Sequence, residues 1–347
     1  MVLFCLIVAL AGGLLANWLG IPLPFMLGSV GATMIGALLG WRIAAPGPVL
    51  VLPMRVVLGV LIGSTISPEF LAHAKTILAV VACVPLYVFI SGAFSTWYYH
   101  RVAGFSRDES FFAGLPGGLY AMTAYAEDVG IGIRRLTICH TLRVTLVVML
   151  IPVGVEQYLS NEMVKGGFTV SSLAGEHSIK DVCLLVAAGV LGAGVGRLSA
   201  LPGGLIFGPM VISAILHLTD FITMRPPVEL AIVAQVILGA SIGARFIGET
   251  LTNIRRVAGY TLVHVVLMLL LTLAFSSVMV KMFAISPVTS VISFAPGGLM
   301  EMTLVALGLN IDVGMVATLH LTRVITILMV APVVYRWFAR MHGGAGQ

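Results

Sequence analysis

Two Pro-Gly-Gly triplets interrupt apolar stretches of this sequence, Pro116-Gly117-Gly118 and Pro296-Gly297-Gly298. In lipid, backbone N–H and C=O groups need partners within the protein, so a broken helix is tolerated where protein buries it or where it lines a wet cavity. Proline suits the first turn of a helix, and glycine lets a ligand approach the backbone. We therefore predict that each triplet starts a half-helix, Leu119–Ala126 and Leu299–Leu307, whose N-terminus attracts an anion. The alternative is a tight turn that only lets helices pack.

Each triplet is followed by a histidine–arginine pair with i, i+3 spacing, His140 with Arg143 and His320 with Arg323. This spacing puts both side chains of a pair on one helix face. Arg323 lies roughly 15 Å into the span that begins near Val313, and an arginine so close to the bilayer centre must face the protein interior. Two roles stay open for Arg143 and Arg323. They neutralise an anionic substrate, which the guanidinium fork suits, or they hold the carbonyl ends of the broken helices or an acid.

Acids and hydroxyls near the triplets add further candidates. Glu301 follows the second triplet, and a buried carboxylate near a cation is a candidate proton carrier or cation-binding group, with a static ion pair as the alternative. Asp128 and Asp312 are candidate caps of the helices that follow them. The hydroxyls of Thr123 and Thr303 either bind a ligand or bond to their own helices.

The composition is that of an integral membrane protein. Of 347 residues, 59% are hydrophobic and 10% are charged, whereas a soluble domain has roughly 25% charged residues. Apolar runs that can cross the roughly 30 Å hydrocarbon layer as helices recur along the chain. The ten predicted spans are Leu3–Leu19, Pro24–Leu39, Val49–Ile66, Ile77–Tyr99, Leu136–Val155, Val182–Leu198, Leu205–Leu218, Leu230–Phe246, Val257–Val280 and Val313–Val334.

Other classes of site find no support in the sequence. The eight histidines are scattered, and only His140 and His320 are placed to meet through an internal symmetry, so we expect no metal and no cofactor. No phosphate-binding loop, nucleophile triad or dinucleotide fingerprint occurs, so we expect no enzyme. The basic residues follow membrane boundaries, which argues against a nucleic-acid partner.

The sequence matches itself without gaps at an offset of 180 residues, which aligns both triplets and both histidine–arginine pairs. Self-similarity at a fixed offset indicates a duplicated structural unit. We predict two membrane repeats, 1–160 and 181–347, joined by a linker at 161–180 that we expect in the periplasm.

The orientation of the repeats depends on how often each crosses the membrane. With five full crossings and one re-entrant Pro-Gly-Gly element per repeat, and a cytoplasmic N-terminus, the positive-inside rule favours inverted repeats. The basic residues expected inside are Arg42, Arg101, Arg107, Arg134, Arg135, Arg197, Arg245, Arg255, Arg256, Arg336 and Arg340. Those expected outside are Lys75, Lys165, Lys180, Arg225 and Lys281. If the Pro-Gly-Gly elements cross fully, the repeats are parallel.

Several stretches resemble the AbrB-type integral membrane proteins of bacteria, which are distinct from the small DNA-binding regulator of the same name. The most specific are 115–143 ("LPGGLYAMTAYAEDVGIGIRRLTICHTLR"), 295–323 ("APGGLMEMTLVALGLNIDVGMVATLHLTR"), "LGIPLPFMLGSVGA" and "LSALPGGLIFGPM". One departure is Gly132, where the family often carries an acid. Members of this family are labelled AidB regulators or ammonia monooxygenases, and the resemblance implies an architecture similar to that of inverted-repeat antiporters and bile-acid symporters.

These observations together favour a secondary transporter of the bacterial inner membrane that moves a small organic anion or metabolite. Coupling of this transport to protons is one form of the hypothesis. Glycines of the triplets would hold the anion, Arg143 and Arg323 would balance its charge, and Glu301 would carry the proton. The alternative is a membrane sensor that regulates gene expression without transport. The expected partners are the lipid bilayer and the anionic substrate, and whether the chain forms a homo-oligomer stays open.

Overall fold

The computed structural model describes residues 1–66, 72–116, 119–160, 179–199, 203–222, 224, 226–309 and 311–341. Within these ranges every regular element is a helix, so the predicted all-helical class is confirmed for the described part of the chain. The helices are α1 (Val2–Trp18), α2 (Pro24–Leu38), α3 (Pro48–Gly63), α4 (Ala74–Arg101), α5 (Arg107–Gly114), α6 (Leu119–Asp128), α7 (Ile133–Ser160), α8 (Ile179–Leu198), α9 (Gly204–Leu218), α10 (Val228–Gly243), α11 (Leu251–Phe283), α12 (Pro287–Phe294), α13 (Leu299–Gly308) and α14 (Val313–Met341). A 3-10 turn, Ala244–Phe246, extends α10. The predicted linker at 161–180 lies almost wholly outside the described residues.

Six of these helical segments are long and apolar enough to cross a membrane, which identifies a membrane protein. They are Ala74–Arg101, Ile133–Val155, Ile179–Leu198, Glu229–Phe246, Ile254–Phe283 and Val313–Trp337. The other four predicted spans also form helices, α1, α2, α3 and α9, but these have only 15 to 17 residues. At about 1.5 Å per residue they reach roughly 23 to 26 Å, less than the roughly 30 Å hydrocarbon core. All ten predicted spans are thus helical, and a full crossing by the four short helices stays a prediction.

Helix starts recur at the spacing of the sequence match. Five helices of the first half begin 180 residues before a helix of the second half. The pairs of first residues are Pro24 and Gly204, Pro48 and Val228, Arg107 and Pro287, Leu119 and Leu299, and Ile133 and Val313. Both broken elements follow this rule, since α5 and α12 each have 8 residues and α6 and α13 each have 10.

The chain forms two compact units, and each takes segments from both halves of the sequence. The first unit comprises Met1–Lys75, Val148–Leu251 and Met300–Val316. The second comprises Thr76–Val147, Thr252–Leu299 and Ala317–Gln347. The compact units are therefore different from the sequence repeats, because helices of one half pack on helices of the other.

Glycines bring the helices of the first unit into backbone contact. A β-carbon on Gly12 of α1 would overlap the carbonyl oxygen of Gly28 on α2, and one on Gly196 of α8 would overlap that of Gly204 on α9. The helix pairs α1–α2 and α8–α9 each pack against a helix from the other half of the sequence. A β-carbon on Gly59 of α3 would overlap the Ile206 carbonyl oxygen. Such close packing of small residues is typical of membrane helices, since lipid offers little hydrophobic drive for their association.

The second unit is held by polar and aromatic contacts between α4 and α11. The Tyr98 hydroxyl donates to the Tyr260 carbonyl oxygen at 2.9 Å, and His264 Nε2 lies 2.9 Å from Ser95 Oγ. The Tyr87 hydroxyl lies 2.8 Å from Thr272 Oγ1. These contacts satisfy buried polar groups inside an apolar helix pair, where an unpaired group is costly.

Candidate substrate site

The second Pro-Gly-Gly triplet separates α12 from α13, as the sequence predicts. α12 ends at Phe294 and α13 begins at Leu299, so Ala295–Gly298 form the break. Phe294 packs its ring against Tyr87 and Phe275, with centroid distances of 5.2 and 5.0 Å. This aromatic contact fixes the end of α12 against α4 and α11.

Arg323 of α14 reaches the break with its guanidinium group. Its Nη1 donates to the Ala295 carbonyl oxygen at 2.5 Å, and its Nη2 donates to the Gly297 carbonyl oxygen. Arg323 is buried, with 2% of its surface exposed. Carbonyl groups freed by a helix break need partners at membrane depth, and the guanidinium supplies them. This geometry is the carbonyl-holding role that the sequence left open for the residue, and its role toward an anion stays a prediction.

The second half-helix begins where the sequence predicts. The predicted half-helix is Leu299–Leu307 and the observed α13 is Leu299–Gly308, with Pro296 in the bend before it. The carbonyl groups on either side of Pro296, at Ala295 and Gly297, are both held by Arg323. Pro296 and Gly297 are buried, and Gly298 is partly buried.

The two histidines bond to helix ends in the same way. His320 Nε2 lies 3.0 Å from the Ile292 carbonyl oxygen on α12, and His140 Nε2 lies 3.0 Å from the Phe112 carbonyl oxygen on α5. Both side chains are fully buried. The sequence left open that the two histidines meet, but each ring nitrogen Nε2 is instead used on its own short helix. The Nδ1 atom of each ring has no hydrogen-bond partner among the described residues.

The first break is described only in part. α5 ends at Gly114, Pro116 is buried, and α6 begins at Leu119. Gly117, Gly118 and the side chain of Thr123 lie outside the described residues. Arg143 of α7 is buried, with 3% of its surface exposed.

Buried hydroxyl groups of α12 were not singled out by the sequence reasoning. Ser290 and Ser293 are 0% and 2% exposed, and neither Oγ atom has a hydrogen-bond partner in the described part of the chain. The Nε atom of Arg323 also has no hydrogen-bond partner in the described part of the chain. Serines are common in membrane helices, so only the burial of these two beside the break makes them candidates. Such unused donors suit a polar ligand.

Glu301 of α13 pairs with Arg245 in the first unit. The Glu301 Oε1 atom lies 3.8 Å from Arg245 Nη2, and the two side chains are 8% and 16% exposed. Arg245 belongs to the 3-10 turn after α10. Because Arg245 ends an apolar run, the sequence predicts it on the cytoplasmic side. Only the packing of the turn shows that it is largely buried beside an acid.

The remaining acids and hydroxyls have local roles. The Asp312 carboxylate accepts a hydrogen bond from the Met315 backbone N–H at 2.9 Å, which caps α14 as one of the predictions states. Asp128 does not cap the next helix, because it ends α6 and α7 begins only at Ile133. Thr303 is buried in α13, with 1% of its surface exposed.

Comparisons with known proteins give a family match. A family model described as "Transition state regulatory protein AbrB" matches residues 25–339. A protein of Escherichia coli (strain K12) named "Putative regulator AbrB" is 24% identical over 321 residues, which cover 92% of this chain and 91% of the relative. A protein of Bacillus subtilis (strain 168) named "Uncharacterized protein YhjN" is 24% identical over 361 residues, which cover 98% of this chain and 94% of the relative. No solved structure matches the chain.

Proposed function

The chain belongs to the AbrB family, and we propose that it is a multi-pass transporter of the bacterial inner membrane that moves a small organic anion. The observation that carries the proposal is the buried guanidinium of Arg323 at a break between two membrane helices. Broken helices at matching positions of two halves are the best pointer in a sequence to a transporter binding site. An enzymatic activity is not part of this proposal.

Charge supports an anionic substrate. Among the described residues Arg323 has carbonyl partners and no ion pair with an acid. A buried cation without a counter-charge is costly, so an anion that enters the break gains from neutralising it. The Ser290 and Ser293 hydroxyls and the His320 Nδ1 atom offer additional hydrogen bonds to a polar group.

We also propose that the two halves, 1–160 and 181–347, are inverted repeats. Support comes from the paired helix starts and from the identical use of His140 and His320 on carbonyl groups 28 residues earlier. Five crossings and one broken element give each half an odd number of crossings, which inverts the second half. The distribution of basic residues between the two sides supports the same orientation.

Glu301 is the proposed proton carrier. Its carboxylate is paired with Arg245 and largely buried, so protonation would release the arginine and change the charge of this contact. A change of charge at a buried ion pair can bias a conformational equilibrium, which is what coupling requires.

Uptake into proteoliposomes tests the transport proposal. Purified protein is reconstituted and supplied with radiolabelled lactate, succinate or benzoate as probe anions. We expect uptake above that of protein-free vesicles, loss of uptake in Arg323→Ala, and partial uptake in Arg323→Lys, which keeps the charge but not the fork. Arg336→Ala is the matched control, since Arg336 lies on the same helix and is exposed. Normal uptake by a folded Arg323→Ala variant would refute the role of this residue.

A second candidate function is a membrane sensor that regulates gene expression. It is favoured by the printed name of the Escherichia coli relative, which describes that protein as a regulator. The sensor predicts that the same probe anions raise the melting temperature of the protein while no flux is measured in proteoliposomes. Flux with binding supports the transporter, and binding without flux supports the sensor.

A further inference from the structure

The second unit contains a cavity of about 660 Å³ that opens between α4, α5 and α14. Its walls are mostly apolar and include Val88 and Phe89 of α4 and Val330 and Val334 of α14. Phe89 is 71% exposed and Val330 is 44% exposed, although both lie in candidate membrane spans. Apolar side chains exposed on a spanning helix face lipid, so acyl chains are the natural filling of this cavity.

One end of the cavity is basic and aromatic. His100 and Arg101 end α4, and Arg107 begins α5, and all three line the cavity. Trp97 and Trp337 line it as well and are more than half exposed. Tryptophans and basic residues at the ends of spans mark the level of the lipid headgroups.

Neighbouring acids are engaged with other partners. The Asp108 carboxylate accepts a hydrogen bond from the Tyr335 hydroxyl at 3.2 Å. Glu109 lies 3.6 Å from Arg135 and accepts a hydrogen bond from the Ser106 backbone N–H. In the part of the chain that the structure describes, neither Arg101 nor Arg107 has an ion pair. A hydrogen bond from a neutral hydroxyl leaves the Asp108 carboxylate charged, but Arg101 and Arg107 outnumber it, so the mouth of the cavity carries a net positive charge.

We propose that this cavity binds one anionic phospholipid. The acyl chains lie along α4 and α14, and the phosphate meets His100, Arg101 and Arg107. Basic pockets between membrane helices select anionic headgroups, because each arginine near the membrane surface adds attraction that corresponds to about a fivefold gain in affinity. This inference is independent of the transport proposal, since it uses neither break.

The first unit supplies a matched comparison. A cavity of about 850 Å³ there has a similarly apolar lining from α3, α8, α9 and α10. Arg197, at the end of α8, is the basic residue among its described lining. With one base instead of three, this cavity should accept acyl chains with little headgroup preference.

Quenching of tryptophan fluorescence by brominated lipid tests the proposal. In a Trp18→Phe/Trp41→Phe background the signal comes from Trp97 and Trp337, which line the cavity. The full chain is reconstituted in phosphatidylcholine vesicles that contain brominated phosphatidylglycerol or, at equal mole fraction, brominated phosphatidylcholine. We expect stronger quenching by phosphatidylglycerol, and a loss of relative affinity of about fivefold for each arginine neutralised in Arg101→Gln and Arg107→Gln.

Three variants make the result specific. Arg101→Lys/Arg107→Lys keeps the charge and should keep the preference, and Arg197→Gln should leave it unchanged. Equal quenching by the two lipids would overturn the proposal, as would an equal loss in Arg197→Gln. Quenching by neither lipid would mean that a second copy or another occupant covers the cavity, which also overturns it.

Discussion

Arg323 shows how one side chain serves both a structural and a functional hypothesis. Its two guanidinium nitrogens bind the carbonyl oxygens of Ala295 and Gly297. Removing the group leaves two buried carbonyls unsatisfied, at about 1–3 kcal/mol each. Loss of uptake in Arg323→Ala therefore has to be read beside the melting temperature of the variant. Arg323→Lys separates the effects, because it restores the charge without restoring both hydrogen bonds.

Glu301 gives a second prediction at the residue scale. Glu301→Gln keeps the shape of the side chain and removes its charge and its pairing with Arg245. If Glu301 carries the proton, anion uptake in the variant should continue downhill but should no longer accelerate under an inward proton gradient. The measurement is initial uptake rate in proteoliposomes with and without an imposed pH gradient.

Glu109→Gln is the control for this prediction, since Glu109 pairs with an exposed arginine, Arg135. It should retain the response to the gradient. An unchanged response in Glu301→Gln would assign the carboxylate to a static ion pair.

At the scale of elements, two glycines of α8 give a paired test of packing. A β-carbon on Gly192 would overlap the backbone of Gly208 and Pro209 on α9, whereas one on Gly194 would meet nothing within 4 Å. Gly192→Ala should therefore lower the melting temperature by forcing α8 and α9 apart. Gly194→Ala should leave it unchanged or raise it, because alanine favours a helix by up to about 1 kcal/mol over glycine.

Thermal unfolding of the two variants in the same detergent measures this difference. A similar melting temperature for both would show that the close approach of α8 and α9 contributes nothing to stability.

At the scale of the whole molecule, the orientation of the broken elements decides the topology. Ser110 and Ser290 are fully buried and therefore unsuitable for labelling. Exposed positions lie before α5 and α12, where we choose Ser106→Cys and Ser286→Cys. Exposed positions also follow α6 and α13, where we choose Gly132→Cys and Asp312→Cys. On a cysteine-free background we expect the first-half pair to react from the cytoplasm and the second-half pair from outside. The measurement is labelling by a membrane-impermeant maleimide from each side.

Reaction of the two ends of one element from opposite sides would mean that the element crosses fully. The two repeats would then be parallel, and the proposed inverted symmetry would be wrong.

The sequence by itself determined the membrane class, the positions of the helices and the breaks at the two triplets. These features follow from local chemistry, since apolar runs form helices in lipid and Pro-Gly-Gly interrupts them. It also found His320 and Arg323, because charged or polar groups in a long apolar run are rare and must face the protein interior.

Only the tertiary structure decided what those side chains contact. The carbonyl partners of Arg323 lie 26 and 28 residues away, and the Arg245 partner of Glu301 lies 56 residues away, between positions 245 and 301. No periodicity encodes such distances, because they depend on how helices from the two halves pack. The same packing leaves Pro296 in the bend between α12 and α13, where Arg323 holds the carbonyl groups on either side of it. Local sequence sets where a helix breaks, and the surrounding helices set which groups satisfy the break.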